Sequence, residues 1–421
     1  MVNNLKLSVI GIGYVGLPLA ISLANFFKVT AYDLNRNRIT GLKRNYDITN
    51  EFSPFDLKKA KFINFTNNQK KLFNSDIFFI TVPTPITKNN KPDLANLIQA
   101  TKLVAKYIKK NTIIVYESTV FPGCTEEVCL PLIEKISKLK LNKDFYLAYS
   151  PERINPGRST YKLKNTVKVI GASNHKSLRI LDKIYKKICA KTHLTKNIKI
   201  AEAAKIIENT QRDLNIALVN ELSIIFKKMN IDMKQILAAA STKWNFIKFE
   251  PGLVGGHCIG VDPYYLTYKS KQLKYNPKVI LSGRKINDSM GFYVAQKLVS
   301  FLKKRKNFSK SKVLILGAAF KENCSDIRNS RIFDTIKYLE KKGIQTCVYD
   351  PLVPINFLKK KTKKVLSKIN LRNYYDAVII SVGHDEFLSM GIKKIKTIIK
   401  KNGLIFDLKG IFSKKETDWQ L

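Results

Sequence analysis

The chain has 421 residues, more than one typical hydrophobic core supports, so we expect two or three domains. Hydrophobic residues make up 45% of it, and no apolar run approaches the ~18 residues that cross a bilayer, which argues against a disordered or membrane-spanning protein. The formal net charge is +43, but the lysines are spread over every segment, so we expect no nucleic-acid and no membrane partner.

The cysteines and the N-terminus indicate a cytoplasmic protein without a structural metal. Six cysteines are too sparse for a disulfide framework, no CxxC pair occurs, and the four histidines are scattered. The chain passes from Met1 into an apolar strand pattern without a separate basic region or a cleavage signal. We therefore expect cytoplasmic localisation and no metal site.

The first part of the chain alternates strand and helix patterns, which is typical of a parallel sheet with helices on both faces. The predicted strands are Leu5–Gly11, Val29–Asp33, Ile77–Val82, Ile113–Ser118, Phe145–Ser150 and Val167–Ala172. The pattern predicts an N-terminal nucleotide-binding domain over residues 1–200.

A long helical pattern without Gly or Pro, Ala201–Asn230, opens a predicted central helical domain over residues 201–308. A second strand and helix alternation starts at Lys312–Leu316 and predicts a smaller domain over residues 309–421. Its first turn, at Gly317, lacks the GxGxxG spacing, so we expect it to hold a nucleotide in a different way. The predicted fold class is α/β, with two Rossmann-like doubly wound parallel-sheet domains joined by a central helical domain with one long helix.

Three glycines after the first strand form a dinucleotide fingerprint. Gly11 permits the tight turn, Gly13 lets the backbone approach a pyrophosphate, and Gly16 lets helix and strand pack. Asp33 ends the next strand, where a carboxylate binds a ribose diol and repels a 2′-phosphate. The sequence therefore predicts NAD as the cofactor, while the nearby Arg38 leaves NADP open.

Three polar side chains share one face of the long predicted helix. Lys205, Asn209 and Arg212 recur at helical spacing, and the neighbouring positions are largely apolar. Polar groups on such a helix need partners or a ligand, although a solvated stripe is the alternative.

Three further polar residues follow predicted strands of the first sheet. They are Thr84, Thr119 and Glu152. The carboxyl ends of parallel strands form the edge where α/β enzymes bind ligands, so we expect Thr84 to contact the cofactor.

Cys258 points to more than one hydride transfer. It lies in a glycine-rich turn that Asp262 closes, and a thiolate there can trap an aldehyde and carry a second oxidation to an acid. We expect the backbone N–H groups of Gly255 and Gly256 and the charge of Lys205 to favour the thiolate.

Five segments together resemble the UDP-glucose/GDP-mannose dehydrogenase family, and the resemblance covers essentially the whole chain. They are Gly11–Gly16, Glu117–Val120, Ser150–Arg153, Ala203–Asn209 and Gly255–Pro263. The longer strings YESTVFPGCTEE, SPERINPG, AAKIIENTQRDLNIALVNE and GLVGGHCIGVDPYYL resemble the branch that oxidises UDP-N-acetylhexosamines at C6, with the N-acetylglucosamine nucleotide favoured. The resemblance implies an enzyme that converts the primary alcohol to a uronate with two NAD, for surface polysaccharide synthesis.

The resemblance also implies a catalytic role for six residues. The set is Cys258, Lys205, Asn209, Asp262, Glu152 and Thr119. Cys258 would form a thiohemiacetal and then a thioester, while Lys205 and Asn209 stabilise charge on oxygen. Asp262 would transfer protons through a water, Glu152 would assist thioester hydrolysis, and Thr119 would hold a water.

The binding residues follow from the fingerprint and from the resemblance together. The cofactor set is Gly11, Gly13, Tyr14, Val15, Gly16, Asp33, Arg38, Thr84, Thr119 and Arg328. The substrate set is Arg153, Ile154, Lys205, Asn209, Arg212, Gly255, Phe320, Lys321 and Lys409. The family also implies a homodimer or a higher homo-oligomer that assembles through the long helix.

Other functions stay open at this point. The UDP-N-acetylgalactosamine, UDP-N-acetylmannosamine and UDP-glucose enzymes are the nearest alternatives. A single-step dehydrogenase of the 6-phosphogluconate type needs the lysine and the asparagine but no cysteine. A non-enzymatic polyanion binder is the alternative that the net charge suggests.

Overall fold

The computed structural model describes residues 4–49, 51–60, 62–87, 89–153, 163–304, 308–369 and 372–421. By its internal contacts the chain divides into two units. The first comprises Met1–Glu208 and Tyr264–Asn276, and the second Asn209–Pro263 and Pro277–Leu421. Each unit has its own sheet, built on predominantly parallel strands.

The described strands of the first unit form one sheet. They are β1 (Lys6–Ile10), β2 (Lys28–Tyr32), β3 (Ile63–Thr66), β4 (Ile77–Ile80), β5 (Ile113–Tyr116), β6 (Tyr146–Tyr149), β7 (Val167–Ala172) and β8 (Lys191–Leu194). Their order is β3-β2-β1-β4-β5-β6-β7-β8, and only the β6–β7 pair is antiparallel among them. The chain runs outwards from β1 in both directions, so the crevice for a ligand lies between β1 and β4 at their carboxyl ends.

Helices cover this sheet. They are α1 (Gly16–Ala24), α2 (Arg36–Lys43), α3 (Pro54–Lys59), α4 (Ala95–Ala105), α5 (Leu130–Ser137) and α6 (His175–Tyr185). A single π-helical turn, Thr125–Cys129, leads into α5, and short 3-10 turns lie at Gln69–Leu72 and Leu163–Asn165. Every residue of β4 and β5 is buried, as expected for central strands covered on both faces.

The second sheet is smaller and parallel throughout its described pairs. Its strands are β9 (Lys312–Leu316), β10 (Gln345–Tyr349), β11 (Tyr375–Ile380), β12 (Ile399–Asp407) and β13 (Trp419–Gln420), in the order β10-β9-β11-β12-β13. The remaining helices are α7 (Ile198–Lys228), α8 (Met233–Ala240), α9 (Asp262–Gln272), α10 (Lys278–Leu302), α11 (Ile332–Lys341), α12 (Ile355–Lys359) and α13 (Asp385–Ile398), with 3-10 turns at Phe308–Lys310 and Lys414–Glu416. Helices α7 and α9 have residues in both units.

A buried polar network pairs α7 with α10 inside the second unit. Arg284 Nη1 lies 2.6 Å from Asp213 Oδ1, and Asn287 Nδ2 donates to the same oxygen at 2.7 Å. Asn220 Nδ2 donates to Asn287 Oδ1 at 2.8 Å. The backbones approach closely, because a Cβ on Gly283 would lie 2.5 Å from Leu214 Cδ2. Polar pairing and a small residue therefore fix how these two helices pack.

The predicted fold class is confirmed by the two sheets and the helical region between them in the chain. The predicted long helix is α7, which starts at Ile198 and ends at Lys228. Three strands were missed. They are β3, β8 and β13, and the side chains of β8 are mostly exposed, so it lacks the apolar run that marks a buried strand. The domain limits at 200 and 308 stay a prediction. No helix in the part of the chain that the structure describes is long and apolar enough to span a membrane.

Candidate active site

The turn from β1 to α1 explains each glycine of the fingerprint. Gly11 has φ +93°, and a Cβ there would lie 2.9 Å from Val82 Cγ1. A Cβ on Gly16 would lie 1.9 Å from the carbonyl oxygen of Gly11, so only glycine fits. A Cβ on Gly13 would meet no atom within 4 Å, which leaves this stretch of backbone open to a ligand.

The N-terminus of α1 presents its backbone to the same opening. Tyr14 and Val15 lie between the second and third glycines, and Val15 is the N-cap residue of α1 without a side-chain hydrogen bond to the helix. Unsatisfied N–H groups and the helix dipole together favour an anion at such a terminus. These observations fit the pyrophosphate of NAD.

Asp33 is held at the end of β2 by two backbone groups. Its carboxylate accepts a hydrogen bond from the N–H of Ile12 at 2.8 Å and one from the N–H of Asn35 at 2.8 Å. The carboxylate therefore has a fixed position beside the glycine turn, where a ribose diol would bind.

Arg38 braces the glycine turn. Its Nε donates to the carbonyl oxygen of Ile12 at 2.9 Å, and its Nη1 forms an ion pair with Asp47. Arg38 is 8% exposed, and Asp47 balances its charge. A buried, paired guanidinium is poorly placed to bind a 2′-phosphate, so the NADP alternative loses its support.

A cleft of about 460 Å³ opens at the carboxyl ends of β1, β2 and β4. Its lining includes Gly11, Tyr32, Asp33, Asn67, Val82 and Asn96. The volume lies within the range of small-molecule and cofactor sites. The glycine turn, the carboxylate and the cleft together fit the adenosine half of NAD.

Thr84 and Thr119 follow neighbouring strands and are hydrogen-bonded to each other. Thr84 Oγ1 donates to the carbonyl oxygen of Thr119 at 2.7 Å, and Tyr265 donates to the carbonyl oxygen of Thr84 at 2.8 Å. The structure thus brings two predicted residues together beside the cleft. The hydroxyl proton of Thr84 is used in the hydrogen bond to the backbone of Thr119.

Glu152 and Lys205, two of the predicted catalytic residues, lie in the first unit. Lys205 Nζ donates to the carbonyl oxygen of Glu152 at 2.9 Å, and both residues are 8% exposed. Arg153 donates from Nη1 to the carbonyl oxygen of Val167 at 3.0 Å and forms an ion pair with Glu208 of α7. Ile154, a predicted substrate contact, lies outside the described residues.

Cys258, Asp262 and Asn209 come together in the second unit. The carbonyl oxygen of Cys258 accepts hydrogen bonds from Val261 N at 2.9 Å and Asp262 N at 2.8 Å, so the cysteine turn leads directly into α9. Asn209 Nδ2 donates to Asp262 Oδ2 at 2.5 Å, and Asp262 is fully buried. The turn thus carries the cysteine, the first residue of α9 carries the carboxylate, and α7 carries the amide.

The Gly255-Gly256 turn packs against the loop that follows β9. A Cβ on Gly255 would lie 2.9 Å from Phe320 Cβ, and a Cβ on Gly256 would lie 2.8 Å from the Phe320 ring. The N–H of Gly256 donates to the carbonyl oxygen of Arg328 at 3.0 Å. The expectation that this N–H group favours the Cys258 thiolate is therefore wrong, because the group already has a partner.

His257 was missed by the sequence analysis. Burial lowers the pKa of His257, but the Asp326 carboxylate and the neighbouring Cys258 raise it to about 9. Nδ1 lies 3.6 Å from Asp326 Oδ2 and 3.0 Å from Arg328 Nη2. The two contacts compete for Nδ1 of His257. Arg328 can donate only to an unprotonated Nδ1, whereas Nδ1 must carry a proton to pair with the Asp326 carboxylate. A histidine directly before the cysteine is the signal that could have identified it.

The remaining predicted ligand residues occupy the second unit. Arg328 folds back onto Asp326, with Nη2 2.6 Å from Oδ2. Lys409 forms an ion pair with Glu322 at 2.9 Å, and it lines a small cavity together with Phe320. Lys321 lies beside the Phe320 ring, while Arg212 is exposed on α7.

Family models cover most of the chain in three consecutive matches. The NAD binding domain of the UDP-glucose/GDP-mannose dehydrogenase family matches residues 5–189, its central domain residues 199–289 and its UDP binding domain residues 314–414. The cleft and glycine turn lie in the first match, and Cys258 lies in the second.

Curated relatives and solved structures agree with these matches. The chain is 45% identical to the UDP-N-acetyl-D-glucosamine 6-dehydrogenases of Salmonella typhi and Pseudomonas aeruginosa, covering 100% of this chain and 99% and 100% of theirs. The solved UDP-D-ManNAc dehydrogenase of Pyrococcus horikoshii has a TM-score of 0.89 and 29% identity, over 99% of this chain and 98% of that one.

Proposed function

The chain belongs to the UDP-glucose/GDP-mannose dehydrogenase family, and on that premise we propose that it oxidises the C6 alcohol of UDP-N-acetylglucosamine to the uronate. The observation that carries the proposal is the turn that places Cys258 four residues before Asp262, whose backbone N–H donates to the carbonyl oxygen of Cys258 and whose carboxylate is hydrogen-bonded to Asn209. The 45% identity with UDP-N-acetyl-D-glucosamine 6-dehydrogenases supports the choice of sugar.

The first oxidation removes a proton and a hydride from the C6 alcohol and leaves an aldehyde. NAD, when bound, accepts the hydride of each oxidation. Asp262 takes the hydroxyl proton through a water, while the Lys205 ammonium and the Asn209 amide stabilise the negative charge that develops on oxygen. The Asn209–Asp262 hydrogen bond fixes the direction of both side chains.

The second oxidation proceeds on the enzyme. The Cys258 thiolate attacks the aldehyde carbon, a C–S bond forms, and the carbonyl oxygen takes back a proton from Asp262 through the water, which gives the hydroxyl of a thiohemiacetal. Loss of a second hydride and a proton gives the thioester. Water then attacks the acyl carbon with Glu152 as its base, the C–S bond breaks, and the uronate and the free thiol are released.

We also propose a homo-oligomer that works in the cytoplasm and serves surface polysaccharide synthesis. An exposed apolar stripe on α7 includes Leu218 and Ile225 and continues to Met229, the residue directly after the helix, which supports assembly through this helix. The relatives of 45% identity include Protein CapL of Staphylococcus aureus.

The substrate is tested by initial rates of NADH formation with four nucleotides. They are the UDP derivatives of N-acetylglucosamine, N-acetylgalactosamine, N-acetylmannosamine and glucose. We expect the highest kcat/KM with UDP-N-acetylglucosamine, and a uronate as the product by mass spectrometry. A higher kcat/KM with another of the four would reassign the sugar, and no NADH with any of them would refute the enzymatic function.

A further inference from the structure

We propose that Lys168 is a positioning residue for thioester hydrolysis, because its buried ammonium group holds both the backbone and the carboxylate of the Pro151-Glu152 segment. The inference rests on the proposed function, since it presumes that Glu152 acts on the Cys258 acyl-enzyme. All the contacts that carry it lie within the first unit.

Lys168 lies on β7 and is 1% exposed. Its Nζ donates to the carbonyl oxygen of Pro151 at 3.0 Å and lies 3.5 Å from Glu152 Oε2. One ammonium group therefore holds the segment through its main chain and through the side chain of Glu152. Strand β7 is paired with β6, the strand that leads into this segment, so the lysine acts from a rigid neighbour.

A second carboxylate keeps the lysine in place. Glu117 follows β5 and is 2% exposed, and its Oε2 lies 2.6 Å from Lys168 Nζ. The other carboxylate oxygen accepts a hydrogen bond from the hydroxyl of Tyr185, the last residue of α6. Residues that follow β5 and β6 thus meet residues of β7 and α6 at a single buried cluster, which we call the Lys168 cluster: Glu117, Glu152, Lys168 and Tyr185.

The charges of the Lys168 cluster depend on each other. Burial alone lowers the pKa of Lys168, but the carboxylates of Glu117 and Glu152 raise it above its ordinary value, so the ammonium group stays charged. Removal of that charge would leave two buried carboxylates without their cation, which is strongly unfavourable. The Glu152 side chain would then turn away, and it would lose its role as a base.

The Pro151-Glu152 segment also contacts Lys205. The carbonyl oxygen of Glu152 accepts the hydrogen bond from Lys205 Nζ, while Lys168 holds the preceding carbonyl group, that of Pro151. Lys205 is anchored independently on α7, so we expect loss of Lys168 to slow hydrolysis more than the oxidations. That difference separates a positioning role from a general loss of structure.

The test uses rapid-quench kinetics on Lys168→Met, with Glu152→Gln as the reference and Lys164→Met as the matched control. Lys164 is exposed and precedes the same strand. With UDP-N-acetylglucosamine and NAD, Lys168→Met should keep the burst of NADH, lose roughly 100-fold in steady-state rate and accumulate an acyl group on Cys258. Lys168→Arg should recover most of the rate, because guanidinium replaces the donors and the charge. Lys164→Met should match the wild-type protein.

Tyr185→Phe provides a second, milder variant in case Lys168→Met does not fold. It removes only the hydroxyl that binds Glu117, and it should also increase the acylated fraction of Cys258. If Glu152→Gln accumulates the acyl-enzyme while Lys168→Met and Tyr185→Phe do not, the inference about Lys168 is wrong and the proposed function stands. If Glu152→Gln accumulates no acyl-enzyme, the proposed role of Glu152 fails and the inference fails with it.

Discussion

At the scale of a single residue, Asp33 is the position that we expect to set the preference between NAD and NADP. Its carboxylate accepts two backbone hydrogen bonds, which hold it beside the glycine turn and the cleft. Arg38, the one feature in the sequence that suggested NADP, is paired with Asp47 instead. The carboxylate thus lies where we expect the ribose to bind, and the charge of Arg38 is already balanced.

Asp33→Asn should reduce the preference for NAD over NADP. The amide keeps an oxygen that accepts a backbone hydrogen bond, but it no longer repels a 2′-phosphate. We expect the ratio of kcat/KM for NAD to that for NADP to fall by about tenfold or more, which corresponds to ~1.4 kcal/mol. Initial rates with each cofactor measure the ratio. An unchanged ratio would show that Asp33 does not face the ribose.

The sequence identifies candidate residues where a short motif contains them. The glycines and Asp33 belong to a turn and the strand that follows it in the sheet, and Cys258 and Asp262 belong to a turn and the start of α9. His257 and Lys168 were missed because their roles depend on Asp326 and Glu117, which lie far away in the chain and meet them only in the fold. Pairings of that kind carry no local signal.

The start of α7 shows how one element fixes another. Glu202, a fully buried residue of α7, accepts hydrogen bonds from the N–H groups of Gly123 at 2.5 Å and Thr125 at 3.0 Å. It therefore caps the π-helical turn Thr125–Cys129 in the way that a side chain caps an ordinary helix. Burial raises the pKa of Glu202 to about 7, although these N–H groups oppose the shift.

Glu202→Gln should change the pH dependence of stability. In the folded protein Glu202 keeps its proton up to about pH 7, whereas in the unfolded chain it loses it near 4.5. The contribution of Glu202 is therefore fully present below the unfolded pKa and is lost as pH rises through the folded pKa, a loss of about 3 kcal/mol.

Urea unfolding at pH 5 and pH 8 measures this effect. The wild-type protein should lose more stability between the two pH values than Glu202→Gln, which has no proton to release. Equal changes in both proteins would show that Glu202 is ionised in the fold.

Other elements differ in how far the sequence predicts them. Strands β4 and β5 are apolar throughout because helices cover both faces, and the sequence identifies them. Strand β8 carries Lys191 and His193 and pairs with β7 through its backbone, so its composition does not mark it as a strand. The pairing of α7 with α10 rests on buried polar contacts that no periodicity reveals.

The net charge of +43 is the whole-molecule feature that most suggested another function. Three consecutive family matches and relatives that align end to end show that the chain belongs to the UDP-glucose/GDP-mannose dehydrogenase family. A UDP-sugar carries a diphosphate and NAD a pyrophosphate, and a positive field raises the local concentration of such ligands.

The central claim is that Cys258 carries the acyl group, and uronate formation by Cys258→Ser tests it most directly. Cys347→Ser is the matched control, because Cys347 is a half-buried cysteine of β10 in the same unit. The account predicts that Cys258→Ser loses steady-state uronate formation by at least about 1,000-fold while Cys347→Ser keeps it. Undiminished uronate formation by Cys258→Ser would contradict the thioester route.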